Sequence, residues 1–249
     1  MTLLRERQVK GGKRPPERRR GEYFWRLLFP PRCLTCQKLL KIAAAVPLCE
    51  DCRAQFSFAG LFCPRCGQHL PPRISCSCAP EAAPLQGLFA LSWYEGVWRQ
   101  VLHRFKFRGE RALARPLGRW LGTLIEEETA WGPELVVPVP LHRRREKERG
   151  YNQAHLLARF TAEALGLPLR PLLVRPGEAP PQSSLSYRHR LTNVRGAFLY
   201  RGGLQRGNRV LLVDDIYSTG ATMQEAAAVL HRRGLLVFGA VAAYTPRFP

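Results

Sequence analysis

No stretch of this 249-residue chain approaches the roughly 20 consecutive apolar residues that a membrane-spanning helix needs; the run from Leu39 to Leu48 is broken by Lys41. The first twenty residues have no apolar core, which argues against a secretory signal. The expectation is therefore a soluble, cytoplasmic protein without membrane insertion. Cysteine is absent after Cys78, and all eight cysteines fall between Cys33 and Cys78. Acidic residues are scarce, 19 against 39 Lys plus Arg, for a formal charge of +20. Lysine is scarce as well: only six of those 39 cations are Lys, so a general preference for arginine explains Arg in place of Lys. It does not explain the excess over acids. Such an excess points to a polyanionic partner or ligand, nucleic acid first among them.

Three regions follow one another. Residues 1–21 place Arg5, Arg7, Lys10, Lys13, Arg14, Arg18, Arg19 and Arg20 against Glu6 and Glu17, with Gly and Pro and no hydrophobic period. That composition predicts a basic disordered arm, either a nucleic-acid tether or a solvated tail. Residues 22–84 hold the cysteines. Residues 85–249 alternate apolar runs with amphipathic stretches: strands over 87–94, 135–139, 210–213 and 235–244, and helices over 97–107, 112–125, 152–165 and 222–233. Alternation of this kind predicts an α/β fold, a parallel sheet with flanking helices, and no internal repeat is visible in it. Between the 135–139 strand and the next helix lies a charged segment that reads as a loop.

The cysteines come as Cys33-x-x-Cys36, Cys49-x-x-Cys52, Cys63-x-x-Cys66 and Cys76-x-Cys78. A two-residue gap lets both thiolates reach one ion at about 2.3 Å, and eight thiolates suffice for two tetrahedral zinc sites. Cys63-Pro-Arg-Cys66-Gly67 adds the glycine that a tight knuckle turn requires. A segment this short has little core and needs such staples to fold. Full thiolate coordination leaves no position for water, so both zincs would be structural. A disulfide framework and a redox Cys-x-x-Cys are the competing readings. Contiguous pairing (33, 36, 49, 52 and 63, 66, 76, 78) is preferred, with crossed pairing the alternative.

Val210 to Thr222 is the most informative stretch. A buried strand ends on Asp214 and Asp215, at the edge where open α/β sheets bind ligands. Ser218, Thr219, Gly220, Ala221 and Thr222 follow immediately before a helix. A helix start offers free amides and partial positive charge to a phosphate, and Gly220 permits close backbone approach. The bland alternative makes Ser218 a helix cap and leaves the acids to satisfy local amides. That alternative accounts for one hydroxyl and one acid only.

The stretch resembles the phosphoribosyl pyrophosphate signature of type I phosphoribosyltransferases. The resemblance implies that Asp214 and Asp215 contact the ribose diol and that Ser218 to Thr222 hold the 5-phosphate, with magnesium carried by the diphosphate. It also implies a pyrophosphate loop after an early strand, for which Val136 to Leu141 fits. Pro140, Leu141, His142 and Arg143 would receive the diphosphate. Arg143 to Gly150 would form a cationic flap, continued by Tyr151, Asn152 and Gln153.

Taken with the eight cysteines, Phe105-Lys106-Phe107-Arg108-Gly109, Arg149-Gly-Tyr-Asn-Gln153, and Gln182, Leu185, Arg190, Asn193 and Phe198, the chain from Cys33 onward resembles the ComF family. That family joins a double zinc ribbon to a phosphoribosyltransferase-like domain. The resemblance implies single-stranded DNA handling in natural transformation, beside a helicase-like partner. From Arg170 to Arg209 eight Arg oppose Glu178 alone, and Tyr187 beside Arg188 and Arg190 could stack an unpaired base. The competing class is an active phosphoribosyltransferase of nucleotide metabolism or salvage. No catalytic acid, base or acceptor pocket can be singled out for it.

Overall fold

Val210, Leu211, Leu212 and Val213 are all fully buried, so both faces of the strand that carries them are covered, as in the interior of a parallel sheet. A computed structural model of the chain describes residues 29–44, 46–55, 58–70, 76, 83–128, 132–176, 196–203 and 207–245. The basic arm, Cys78, Gln182, Leu185, Asn193 and the expected base-stacking group Tyr187, Arg188 and Arg190 lie outside the described residues.

The described elements are α1 (Glu50–Ala54), β1 (Phe58–Phe62), β2 (His69–Leu70), β3 (Leu88–Trp93), α2 (Gly96–Phe107), a 3-10 turn (Arg111–Leu113), α3 (Ala114–Glu128), β4 (Leu135–Pro138), α4 (Arg143–Arg149), α5 (Gln153–Leu165), β5 (Leu173–Val174), β6 (Leu199–Tyr200), β7 (Arg209–Tyr217), α6 (Ala221–His231) and β8 (Leu236–Tyr244). The main sheet runs β2-β1-β3-β8-β7-β4, and β5 pairs with β6 separately. β3, β8, β7 and β4 are mutually parallel. β1 pairs antiparallel with both β2 and β3. The sheet therefore grows outward into the cysteine-rich segment, because β1 and β2 flank the Cys63–Cys66 knuckle.

The chain divides into two compact units, Met1–Cys49 and Glu50–Pro249. In the first unit a tight turn brings the Gln37 amide to the Cys33 carbonyl and the Cys33 amide to the Lys38 carbonyl, with Gln37 at φ 63°. In the second, Val210 and Leu212 share a cluster with Met223, Ala226, Ala227 and Leu230 of α6. Leu211 and Val213, buried with them, point to the other face by the two-residue period of a strand. There α3 and α5 pack against each other closely, because Gly118 and Gly122 sit at the crossing. A Cβ on Gly118 would lie 2.6 Å from the Phe160 Cβ and 2.9 Å from the Leu157 carbonyl. The buried face of α2 consists of Trp98, Val101, Leu102 and Phe105, at helical spacing, and Trp98 donates its indole N–H to the Ala242 carbonyl at 2.8 Å. That leaves the next residue, Lys106, to project toward the sheet's carboxyl edge.

The segment expected as a charged loop is helical over Arg143–Arg149. It contains no apolar residue, so hydrophobic periodicity is blind to it. It forms because His142 Nδ1 accepts the Arg144 amide at its start, Arg144 and Glu148 pair four residues apart at 2.9 Å, and Gly150 closes it in the left-handed conformation. Among the described residues no helix is long and apolar enough to cross a membrane.

Candidate functional site

β4 ends at Pro138, opposite Val213, while β7 continues for four residues along β8 as far as Tyr217. Asp214 and Asp215 thus extend past the end of the neighbouring strand, at the open carboxyl edge of the sheet. Immediately beyond them the chain turns through Ser218 and Thr219 into α6, whose cap is Gly220 at φ 78°. The cap residue is a glycine and has no side chain, so Ser218 does not take the role that the bland alternative would give it. The Thr219 hydroxyl oxygen instead accepts the Ala221 amide at 3.3 Å. An open depression is lined by Asp214, Tyr217, Ser218, Thr219, Gly220 and Thr222. Acids, hydroxyls and a helix start therefore share one surface, which suits a ligand carrying both hydroxyls and a phosphate.

The acids do not stand alone. Lys106 Nζ lies 2.9 Å and 3.1 Å from the two carboxylate oxygens of Asp215, a residue only 7% exposed. Burial, and then the charge of Asp215, push the Asp214 carboxyl up to about 7, with Lys106 and Arg175 pulling the other way. Burial pushes the Arg149 guanidinium below the usual arginine range, which the charge of Asp215 opposes. Burial does the same to Arg175, reinforced by the charge of Arg145 and opposed by that of Asp214. Two carboxylates are thereby ringed by cations from α2, α4 and the β5 edge.

The segments 105–109 and 149–153 deliver two of those cations, Lys106 and Arg149, by gripping each other. The Tyr151 hydroxyl donates to the Phe105 carbonyl, and Gln153 Nε2 donates to the Lys106 carbonyl at 3.1 Å. The Arg149 guanidinium lies over the Phe107 ring at 5.1 Å and donates to Gln153 Oε1 at 3.2 Å. Arg111 donates to the Gly150 carbonyl at 2.7 Å and covers the Tyr151 ring at 4.8 Å. Asn152 caps α5 through the His155 amide and donates to the Val139 carbonyl at 3.1 Å, which ties the helix to the end of β4. Tyr151, Asn152 and Gln153 therefore act as scaffold for their neighbours. Pro140, Leu141 and His142 form the short passage from β4 into α4, and Arg143 begins that helix.

Sequence reasoning gave no role to Lys106 or Arg175. Lys106 had a faint signal: where arginine is the default cation, one of only six lysines marks a place suited to a compact ammonium. Arg175 had none, since its half-burial depends on Phe198, over whose ring it lies at 5.3 Å.

The cysteines form two groups. Ligand atoms of Cys33, Cys36, Cys49 and Cys52 lie within 4.8 Å of one another, and so do those of Cys63, Cys66 and Cys76. Cys36 and Cys49 are 3.6 Å apart and Cys66 and Cys76 3.7 Å. A tetrahedron with zinc–sulfur bonds of about 2.3 Å has an edge of about 3.8 Å, whereas a disulfide would bring sulfurs to about 2.0 Å. The donor set fits structural zinc. Burial pushes the Cys33 thiol up, but hydrogen bonds from the backbone of Cys36, Cys49 and Thr35 outweigh it and bring it down to about 6, toward the thiolate that zinc requires.

The sequence matches the family described as double zinc ribbon domain over residues 24–79 and that described as phosphoribosyl transferase domain over 175–247. Competence protein F of Haemophilus influenzae is 30% identical over 214 residues, covering 82% of this chain and 92% of that protein. Competence protein ComFC of Bacillus subtilis is 30% identical over 211 residues, 81% of this chain and 85% of that one. The DNA utilization protein YhgH of Salmonella typhi is 31% identical over 217 residues, 84% and 94% respectively.

Proposed function

This chain belongs to the ComF family, a double zinc ribbon with a phosphoribosyltransferase-like domain, and from that premise we propose that it binds phosphoribosyl pyrophosphate with magnesium at Asp214 to Thr222 and handles single-stranded DNA during uptake. We take the ribbon as residues 22–84 and the transferase-like domain as 85–249. The observation that carries the ligand reading is the pair Asp214 and Asp215 directly above the start of α6, whose cap residue is Gly220.

In this reading the first-turn amides of α6 and the hydroxyls of Ser218, Thr219 and Thr222 receive the 5-phosphate. Asp214 and Asp215 accept hydrogen bonds from the ribose diol. Magnesium, when bound with the diphosphate, neutralises part of its charge. Arg143, Arg145 and Arg149 on α4 supply cations toward the diphosphate, and the passage Pro140 to His142 lets α4 close over it as a flap. Arg149 is already half desolvated, so a phosphate there meets a cation poorly compensated by water.

The DNA reading draws on the +20 charge and on the names of the relatives, two competence proteins and a DNA utilization protein. Tyr187, Arg188 and Arg190 are the proposed contacts for an unpaired base and its phosphate, and the family resemblance adds a helicase-like partner. The test is a filter-binding series with single-stranded and duplex oligonucleotides, with and without phosphoribosyl pyrophosphate. Log affinity for single strands should fall linearly with log salt, and duplex should bind more weakly. Weak, salt-insensitive association with both would reject DNA handling.

A further inference from the structure

Tyr217 stands between the Cys63–Cys66 knuckle and the start of α6. Its hydroxyl donates to the Pro64 carbonyl at 3.1 Å, in a buried setting. Pro64 lies inside the Cys63–Cys66 knuckle, between two members of the second sulfur group. The same hydroxyl lies against Gly220, the cap of α6, so closely that a Cβ on Gly220 would collide with it. Gln224, one turn into α6, adds weaker contacts at 3.5 Å to both the Pro64 carbonyl and the Tyr217 hydroxyl. One phenol therefore joins the knuckle's backbone to the helix start that faces the phosphate.

Aromatic packing extends the same interface. Phe62, the residue before Cys63, stacks on Tyr244 with ring centres 4.9 Å apart, and Tyr244 lies 5.7 Å from Tyr217. A Cβ on Gly67, just after Cys66, would lie 2.8 Å from the Tyr244 hydroxyl, so the knuckle presses on this aromatic group at both ends. Within the knuckle the Gly67 amide donates to the Cys63 carbonyl and the Cys63 amide to the Gln68 carbonyl, each at 2.9 Å. A metal bound by the two cysteines fixes the turn between them, and with it the direction of the Pro64 carbonyl.

We propose that the second cysteine cluster and Tyr217 position the phosphate loop, so that metal at Cys63, Cys66 and Cys76 raises the loop's affinity for a phosphorylated ribose. The inference rests on the reading of Asp214 to Thr222 as the phosphoribosyl pyrophosphate site. Coupling between two ligands is reciprocal, so the phosphorylated ribose must also tighten this cluster's hold on zinc. Tyr217 lines the depression as well, but its hydroxyl is directed to the Pro64 carbonyl beside Gly220, and in this proposal it is a positioning residue that acts through Gly220.

The full-length, zinc-loaded chain is the material for the test, with Tyr217→Phe as the main variant, because it removes one hydroxyl and leaves the rings in place. Calorimetric titration with phosphoribosyl pyrophosphate and magnesium should show affinity about three- to tenfold weaker in Tyr217→Phe, the value of one buried hydrogen bond. Gly118→Ala, which loosens the α3–α5 crossing and touches neither knuckle nor loop, should bind like wild type. Zinc transfer to a chromophoric chelator should slow when the ligand is present in wild type, and slow less in Tyr217→Phe. Amide hydrogen exchange over residues 218–222 should be faster in Tyr217→Phe and in Cys66→Ser than in wild type, with no ligand needed. Unchanged affinity and unchanged exchange in Tyr217→Phe would overturn the proposal and leave the ligand site intact. Absence of binding by wild type would reject the ligand site itself, and the exchange rates would then decide alone whether the knuckle positions the loop.

Discussion

Replacing Lys106 by Met removes the only ammonium in hydrogen-bond contact with Asp215 among the described residues while keeping the volume of its stem. The lysine and aspartate side chains are 23% and 10% exposed, so the pair is largely withdrawn from water without being sealed off. A hydrogen bond to a charged group contributes about 1.5–3 kcal/mol, and orphaning a fully buried charge costs about 3–5 kcal/mol. Partial access to water places the expected loss near the lower range, about 2 kcal/mol at pH 8. The loss should depend on pH. Asp214, already pushed up to about 7 by burial and by Asp215, rises further when Lys106 no longer opposes the shift. Below that value it takes a proton, and the carboxylates stop repelling each other. Urea unfolding at pH 8 and pH 5.5 measures this, with Asp215→Asn and the double variant completing a cycle. The double variant should recover most of the loss. A coupling energy under about 0.5 kcal/mol, or equal losses at both pH values, would refute the reasoning.

Asp214→Asn should stabilise the protein at high pH and do little at low pH. A carboxyl whose folded value is raised to about 7 keeps its full stability below the unfolded value near 4 and loses it as pH rises through 7. At about 1.4 kcal/mol per pKa unit the gain at pH 8.5 has an upper limit of about 4 kcal/mol, and a gain larger at pH 5 than at pH 8.5 would contradict it. Gly118→Ala should cost about 1–2 kcal/mol, because overpacking against the backbone of α5 exceeds the roughly 1 kcal/mol that alanine returns in helix propensity; calorimetric melting checks the sign. Metal analysis of the purified chain should return two zinc ions, and chelation should abolish the structure of the ribbon.

The parallel sheet was legible because its strands are apolar runs separated by amphipathic helices, and Val210 to Val213 are buried as that pattern demands. The extension of the sheet into the cysteine-rich segment was not. Phe58 to Phe62 is too short an apolar run to declare its partner, and its pairing with β3 joins residues 26 to 34 positions apart. The helix α4 was hidden for the opposite reason, since its seven residues are all charged and its stability comes from capping and one ion pair. At the site, Asp214 to Thr222 announced itself by residue type. The mutual grip of Phe105–Phe107 and Arg149–Gln153 did not, because it runs mainly through backbone carbonyls, which every residue possesses. That grip includes a bond from Gln153 to the carbonyl of Lys106, the residue whose side chain reaches Asp215.

Asp214 to Thr222 form the proposed binding site for phosphoribosyl pyrophosphate. Isothermal titration of the zinc-loaded wild type with that ligand and magnesium tests it most directly, beside Asp215→Ala and Thr219→Ala. The prediction is one site per chain in wild type, with binding weakened by roughly 1.5–3 kcal/mol in Asp215→Ala, the value of a charge-assisted hydrogen bond, and by a smaller amount in Thr219→Ala. No heat and no saturation with folded, zinc-loaded wild type, or equal affinity in all three proteins, would contradict it.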